Sequence, residues 1–194
     1  MHNVKCHNCR RAKEKLFLKG ARCFSQKCSI TRNSNTPGMH GQKRARAGSE
    51  FGLQLSEKQK LKRSFDLKEK QFRNYFLEAD TSMGATAGVL MQLLEMRLDN
   101  AAFRLGFAGS RGQARQIVGH GHLTINGKRI DIPSYRVRVG DKIGIRAGSV
   151  SKKIFNDLKN ILKKYDAPEW LELDKEKLVG TVKRAPAPAE IETS

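Results

Sequence analysis

Residues 110–130, SRGQARQIVGHGHLTINGKRI, carry helix punctuation at one end and hairpin punctuation at the other. Ser110 stands at an N-cap position, and Gln113, three residues on, closes a capping box. The helix from 111 turns Ala114, Ile117 and Val118 inward, and Gly119 and Gly121 suit left-handed stops. Leu123, Thr124 and Ile125 then alternate as a strand. Asn126-Gly127 is a strong hairpin signal, and Lys128, Arg129 and Ile130 begin the return. A helix that feeds directly into a hairpin packs on it.

The flanks extend this unit. Upstream, Leu90, Leu93, Leu94, Leu98, Ala101, Ala102 and Leu105 predict one amphipathic helix over 87–105. Downstream, Tyr135–Val139, the turn Gly140-Asp141 and Lys142–Ile145 predict a second strand–turn–strand. Two short helices on a small twisted antiparallel sheet are therefore expected over about 93–147. Arg97 and Arg104, two turns apart, and Arg111 and Arg115, one turn apart, predict a positive face on the two helices. The helix start at Ser110 and Gln113 also offers N–H groups to an anion. His120 and His122 leave three readings open: metal ligands or acid–base groups, RNA contacts at a turn, or packing at the helix–strand corner. No nucleophile or carboxylate lies beside them in sequence, which disfavours the first.

Charge says what such a face meets. The 194 residues hold 38 Lys+Arg against 19 Asp+Glu, a net charge of +19. A chain this basic repels itself unless a polyanion neutralises it, and nucleic acid is the expected partner. Residues 1–48 hold twelve Lys+Arg and only Glu14 as an acid, so the basic end is the expected polyanion contact. No run of eighteen apolar residues predicts a membrane span, and MHNVKCHNC lacks the apolar core of a secretory signal.

The four cysteines, Cys6, Cys9, Cys23 and Cys28, follow C-x2-C-x13-C-x4-C. Two close pairs across a short loop suit a closed, structural zinc site; an iron–sulfur cluster and free or disulfide-bonded cysteines are the rivals. The absence of cysteine elsewhere and of an export signal favours thiolates over disulfides. Arg10 and Arg11 would leave such a knuckle positive.

Residues 29–50 read as a basic extended arm, containing Lys43, Arg44 and Arg46. Ser56 with Gln59, and Asp66 with Glu69, predict helix starts near 57 and 67. Lys58, Lys62 and Arg63 lie opposite the first helix's apolar positions. A further helix is predicted over 151–165, Trp170 is expected to anchor the acidic tail to the helical domain, and APAPAEIETS reads as flexible.

At this point a resemblance becomes specific. RLDNAAFRLGFAGSRGQARQIVGHGHLTINGKRIDIPSYRVRVGDKI resembles the small RNA-binding domain named after small-subunit ribosomal protein four. KCHNCRRAKEKLFLKGARCFSQKC, PGMHGQKR, EFGLQLSEKQKLKRSF and PEWLELDKEKLVGTVKR resemble the bacterial form of that family, over about residues 5–185. The resemblance implies an α+β fold. An N-terminal four-Cys zinc knuckle and arm (1–48) precede a helical domain (49–92, completed by 166–185). A small two-helix plus twisted antiparallel β-sheet RNA-binding domain (93–150) interrupts it, followed by a connecting helix (151–165) and a flexible tail (186–194).

The same resemblance implies a non-catalytic component of the small (30S) subunit, cytoplasmic within the ribosome. It would bind the five-prime domain of 16S rRNA and nucleate assembly of the subunit body. Small-subunit proteins three and five, and incoming mRNA, would be neighbours, and proteins five and twelve would share a role in accuracy. The cysteines match the family's zinc-binding version, with structural Zn2+ on Cys6, Cys9, Cys23 and Cys28. RNA contacts are expected from Arg10, Arg11, Lys43, Arg44, Arg46, Lys58, Lys62, Arg63, Arg97, Arg104, Ser110, Arg111, Gln113, Arg115, His120, His122, Asn126, Lys128 and Arg129.

Two other classes fit less well. An RNA-modifying enzyme or synthetase carrying the same small domain would need a separate catalytic domain, for which no length is left over. A zinc-stabilised DNA-binding regulator would present a helix to the major groove, whereas this helix ends in a hairpin.

Overall fold

A computed structural model describes residues 4–42, 48–187 and 190. The chain divides into two compact units, residues 1–72 and residues 73–192, with 193–194 outside the description. In the first unit, α1 (Val4–Ala12), α2 (Ala21–Phe24) and α3 (Ser29–Arg32) fold around a small core of Cys9, Leu16 and Leu18, with Ala12 and Ile30 against it. So little apolar surface contributes little stability by itself. Positive φ at Lys13, Phe17 and Gly20 makes the sharp turns that bring α2 back. The stretch predicted as an extended arm begins as α3. Its basic residues Lys43, Arg44 and Arg46 lie outside the described residues.

α4 (Glu50–Ser64) begins at Ser49, whose hydroxyl accepts from the Gly52 N–H, not near residue 57. Ser56 sits inside the helix. α5 (Glu69–Thr81) starts two residues later than expected. The Gln71 side chain accepts the Lys68 N–H, and Asp66 takes up positive φ in the turn before it.

The second unit holds α6 (Thr86–Glu95), α7 (Leu98–Arg104), α8 (Arg111–Gly119) and α9 (Leu158–Lys163). Its strands are β1 (Leu123–Ile125), β2 (Lys128–Ile130), β3 (Lys142–Ile145), β4 (Leu171–Asp174) and β5 (Val179–Val182). They form one antiparallel sheet in the order β2-β1-β3-β5-β4. The β1–β2 turn has Asn126 at φ 51° and Gly127 at φ 82°, the paired positive φ of a primed hairpin turn.

The second unit departs from expectation in four places. The single helix over 87–105 is broken at Met96-Arg97. There the chain pairs across to the loop before β3: Leu98 N–H donates to Tyr135 O and Val137 N–H to Met96 O. A leucine period continues through the break, so the pattern could not reveal it. The same pairing accounts for Tyr135–Val139, which contributes a single bridge, Arg97 to Arg136, in place of a strand. The helix expected over 151–165 shrinks to α9 and a 3-10 turn at Lys153–Phe155. Finally, residues 166–185, expected to complete the helical domain, instead supply β4 and β5, and β5 hydrogen-bonds to β3.

That addition explains the core. Trp170, Leu171, Leu178 and Val182 are buried in one cluster with Leu98, Leu105, Ile117, Leu123, Ile143 and Leu162. Trp170 therefore anchors the tail to the sheet unit. Gly180 is required by the packing, since a Cβ there would lie 2.3 Å from Leu105 Cδ2, so α7 sits directly on β5.

Candidate nucleic-acid interface

The break at Met96-Arg97 also builds the most unusual feature of the second unit. It places Glu95 and Asp99 inside, at 1% and 3% exposure. A carboxylate buried this deeply needs cationic partners, and arginines from three elements supply them. Arg97 donates from Nε to Asp99 Oδ1 (3.0 Å) and from Nη2 to Oδ2 (2.8 Å), and from Nη1 to the Tyr75 hydroxyl (2.7 Å). Arg115, on α8, donates from Nε (2.9 Å) and Nη2 (2.8 Å) to Asp99 Oδ2. Arg104 grips Glu95 with both prongs, at 3.0 and 2.9 Å. Arg111 donates from Nε to Asn100 Oδ1 (2.7 Å), lies 3.9 Å from Glu95, and stacks over Phe103. Asn100 in turn donates to Glu95 Oε2 (2.6 Å).

The predicted positive face is thus a network folded around two carboxylates. Four guanidiniums against two carboxylates leave it two positive charges in excess. Exposure is graded: the Arg97 side chain is 4% exposed, Arg111 10%, Arg104 16% and Arg115 30%. Burial lowers the Arg111 pKa to about 10 against the attraction of Glu95, with the repulsion of Arg104 adding to the fall, so it is still charged at neutral pH. For Arg97, burial opposes the charge, but the paired Asp99 outweighs it and raises the pKa. Sequence reasoning found the arginines and missed Glu95 and Asp99. A lone acid four residues from another, on a helix rich in leucine, was the available signal.

Ser110 caps α8 as predicted, accepting from Gln113 N–H (3.3 Å), while Gln113 Oε1 accepts from Gly109 N–H (2.9 Å). At the other end His122 is buried, its Nδ1 is 3.1 Å from Ser149 Oγ, and it stands edge-on to His120 and Phe155. Burial first, then Lys152 and other cations, depress its pKa, so it is mostly neutral at pH 7. His122 thus packs at the helix–strand corner, and His120 is exposed beside it. Asn126 is engaged within the sheet, accepting from Lys142 N–H and donating to Asp141, while Lys128 and Arg129 are exposed.

In the first unit, Lys58 and Lys62 both bind Glu69, at 2.5 Å each, and Arg63 is half-buried. Burial, then Arg11, lowers the Arg63 pKa. Arg10 Nε donates to Asn35 O (2.7 Å), and Arg11 is exposed. Cys6, Cys9, Cys23 and Cys28 line one small pocket with Leu18 and Ile30, and none forms a disulfide. Burial, then the backbone N–H of Leu16, which acts the other way, and the neighbouring cysteines leave the Cys9 thiol raised; burial opposes but the N–H groups of Ile30 and Thr31 pull Cys28 down. Four cysteine sulfurs are donors of the type a structural zinc site would use. Among the described residues, however, no three His, Cys, Asp or Glu side chains meet as a group that could hold a metal ion. No helix of the described residues is long and apolar enough to cross a membrane.

Residues 1–95 match the family described as ribosomal protein S4/S9 N-terminal domain, and residues 96–143 match the S4 domain. Small ribosomal subunit protein uS4 of Syntrophomonas wolfei is 52% identical over 97% of this chain and 90% of its own length. The uS4 protein of Natranaerobius thermophilus is 48% identical over 96% of this chain and 90% of its own. That of Thermus thermophilus is 49% identical over 93% and 87%. The S4-domain match ends at residue 143, while the sheet it belongs to continues through β5. With identity near one half along almost the whole of both chains, this chain belongs to the small ribosomal subunit protein uS4 family.

Proposed function

We propose that the protein is a structural component of the small ribosomal subunit that binds the five-prime domain of 16S rRNA and helps nucleate the subunit body. The observation that carries this reading is the Glu95–Asp99 arginine network. It holds guanidinium groups in fixed orientation and in net positive excess, and the β1–β2 hairpin adds exposed cations of its own. Preoriented arginines suit the irregular phosphate path of folded RNA, and they bind by charge and shape without a chemical step. Arg115, the most exposed of the four, would be the first to meet phosphate, which its exposure supports. Small-subunit proteins three, five and twelve, and incoming mRNA, are proposed neighbours on the strength of the family resemblance.

Zinc belongs to the same proposal. Cys6, Cys9, Cys23 and Cys28 would hold it; their spacing, common pocket and freedom from disulfides support this. The ion would supply a crosslink for a unit whose own core is small, and no catalysis. The test is reconstitution: the tagged chain added to rRNA and the other small-subunit proteins should co-sediment at 30S in one copy. Failure to enter the particle would overturn the reading.

A further inference from the structure

A second cationic corner stands at the far end of α8, away from the arginine network. Two chain segments are laced together there. Arg146 N–H donates to His122 O (2.9 Å), Ser149 N–H to Arg146 O (2.8 Å), and Lys152 N–H to Ser149 O (3.0 Å). The His122 ring closes the stitch on Ser149 Oγ and packs edge-on against Phe155. The Arg129 guanidinium lies across Gly121, where a Cβ would be 2.2 Å from its Nε. His120 stands edge-on to His122, with ring centres 5.8 Å apart. The stitch therefore gathers His120, Arg129, Arg146 and Lys152 at one corner, all of them exposed.

These cations lack the compensation that Arg97 and Arg104 enjoy. Among the described residues, the one carboxylate beside them is Asp131, 4.0 Å from Arg129, and no acid pairs with Arg146, Lys152 or His120. The C-terminal carbonyls of α8 are not their partners either: those of Gln116, Ile117 and Val118 already accept from the N–H groups of His120, His122 and Gly121. Fixed backbone holding like charges together, with the exposed Asp131 at the edge as the single counter-charge found beside them among the described residues, favours an external anion. The cations come from two loops and the short strand β2, a spread that matches successive phosphates better than a single small anion.

We propose that His120, Arg129, Arg146 and Lys152 form a second phosphate-binding site for the RNA backbone, separate from the Asp99–Glu95 network. Their mutual field is also felt at His122, whose protonation they oppose after burial has done so. The inference rests on the proposed rRNA binding.

The test compares the full chain with R146Q/K152Q and with K175Q/K177Q, which loses the same charge at the β4–β5 turn. Binding to a 16S five-prime-domain fragment is measured over a range of salt. R146Q/K152Q should bind about tenfold or more weakly at moderate salt, with the salt slope reduced by about one for each lost phosphate contact. K175Q/K177Q should bind as the parent does. Equal affinity and slope for R146Q/K152Q and the parent would overturn the site, as would equal losses in both variants, which would mean net charge alone. A parent chain that fails to bind would overturn the underlying reading as well, and is told apart by the parent's own curve.

Discussion

Asp99 holds two arginines on one oxygen: Oδ2 accepts from Arg97 and from Arg115, each from Nη2 at 2.8 Å. Arg97 comes from the helix break and Arg115 from α8, so one buried carboxylate ties both helices of the RNA-binding unit together. Removing it strands a guanidinium that is 4% exposed. Asp99→Asn should therefore destabilise by about 3–5 kcal/mol, the cost of breaking a buried pair. Arg115→Gln, at a partner that reaches water, should cost much less while weakening rRNA binding. Urea midpoints with unchanged slopes check both. Similar large losses in the two variants would mean that Arg115 is structural.

Glu69 gives a pH signature in the first unit. Its carboxyl, hydrogen-bonded by Lys58 and Lys62, is pulled down to about 2 from an ordinary 4.5. A depressed folded pKa contributes stability above the unfolded value and loses it as pH falls through the folded one. The contribution should be complete above about pH 4.5 and fade toward pH 2. The Glu69 carboxyl carbon, followed by NMR, should titrate near that low value and return to the ordinary range in K58Q/K62Q. A normal titration in the parent would contradict the pairing.

Trp170 tests the five-stranded sheet. At 2% exposure it sits in the same core as Leu98 and Ile143, although it lies beyond the S4-domain match. Trp170→Ala should cost about 3–5 kcal/mol by leaving a cavity, read from the circular-dichroism unfolding midpoint. Native Trp170 emission should be blue-shifted and resist iodide quenching. Ready quenching would mean that β4 and β5 are not docked.

The proposed zinc site predicts about one mole of zinc per chain on elemental analysis, with four thiolate ligands. Chelation should loosen residues 4–32 in hydrogen exchange and weaken rRNA binding, while β1–β5 stay protected. Metal-free protein with a fully protected first unit would rule out the crosslink.

Local signals in the sequence carried part of this structure. The Ser110 cap, the left-handed stop at Gly121 and the Asn126-Gly127 turn each depend on a few adjacent residues, and the structure has them where the sequence placed them, whereas Gly119, also expected as a stop, ends α8 in helical conformation. What the sequence could not reveal depends on distant partners. Leucines run through Met96-Arg97 as if through one helix, because the break is imposed by Tyr135 and Val137, some forty residues on. The spacing of Arg97, Arg104, Arg111 and Arg115 said that they share a region, but not that Glu95 and Asp99 are buried among them. His122 looked like its neighbour His120 until Ser149 and Phe155 supplied its surroundings. The place of β5 beside β3 likewise follows from a close approach, Gly180 against Leu105, that no local pattern encodes.

The central claim, that this chain binds rRNA through charge and shape, is tested most directly by its affinity for a 16S five-prime-domain fragment as salt is raised. The logarithm of the binding constant should fall linearly and steeply with the logarithm of salt concentration, with a slope reflecting several displaced counterions. Binding that stays flat from low to moderate salt would contradict it.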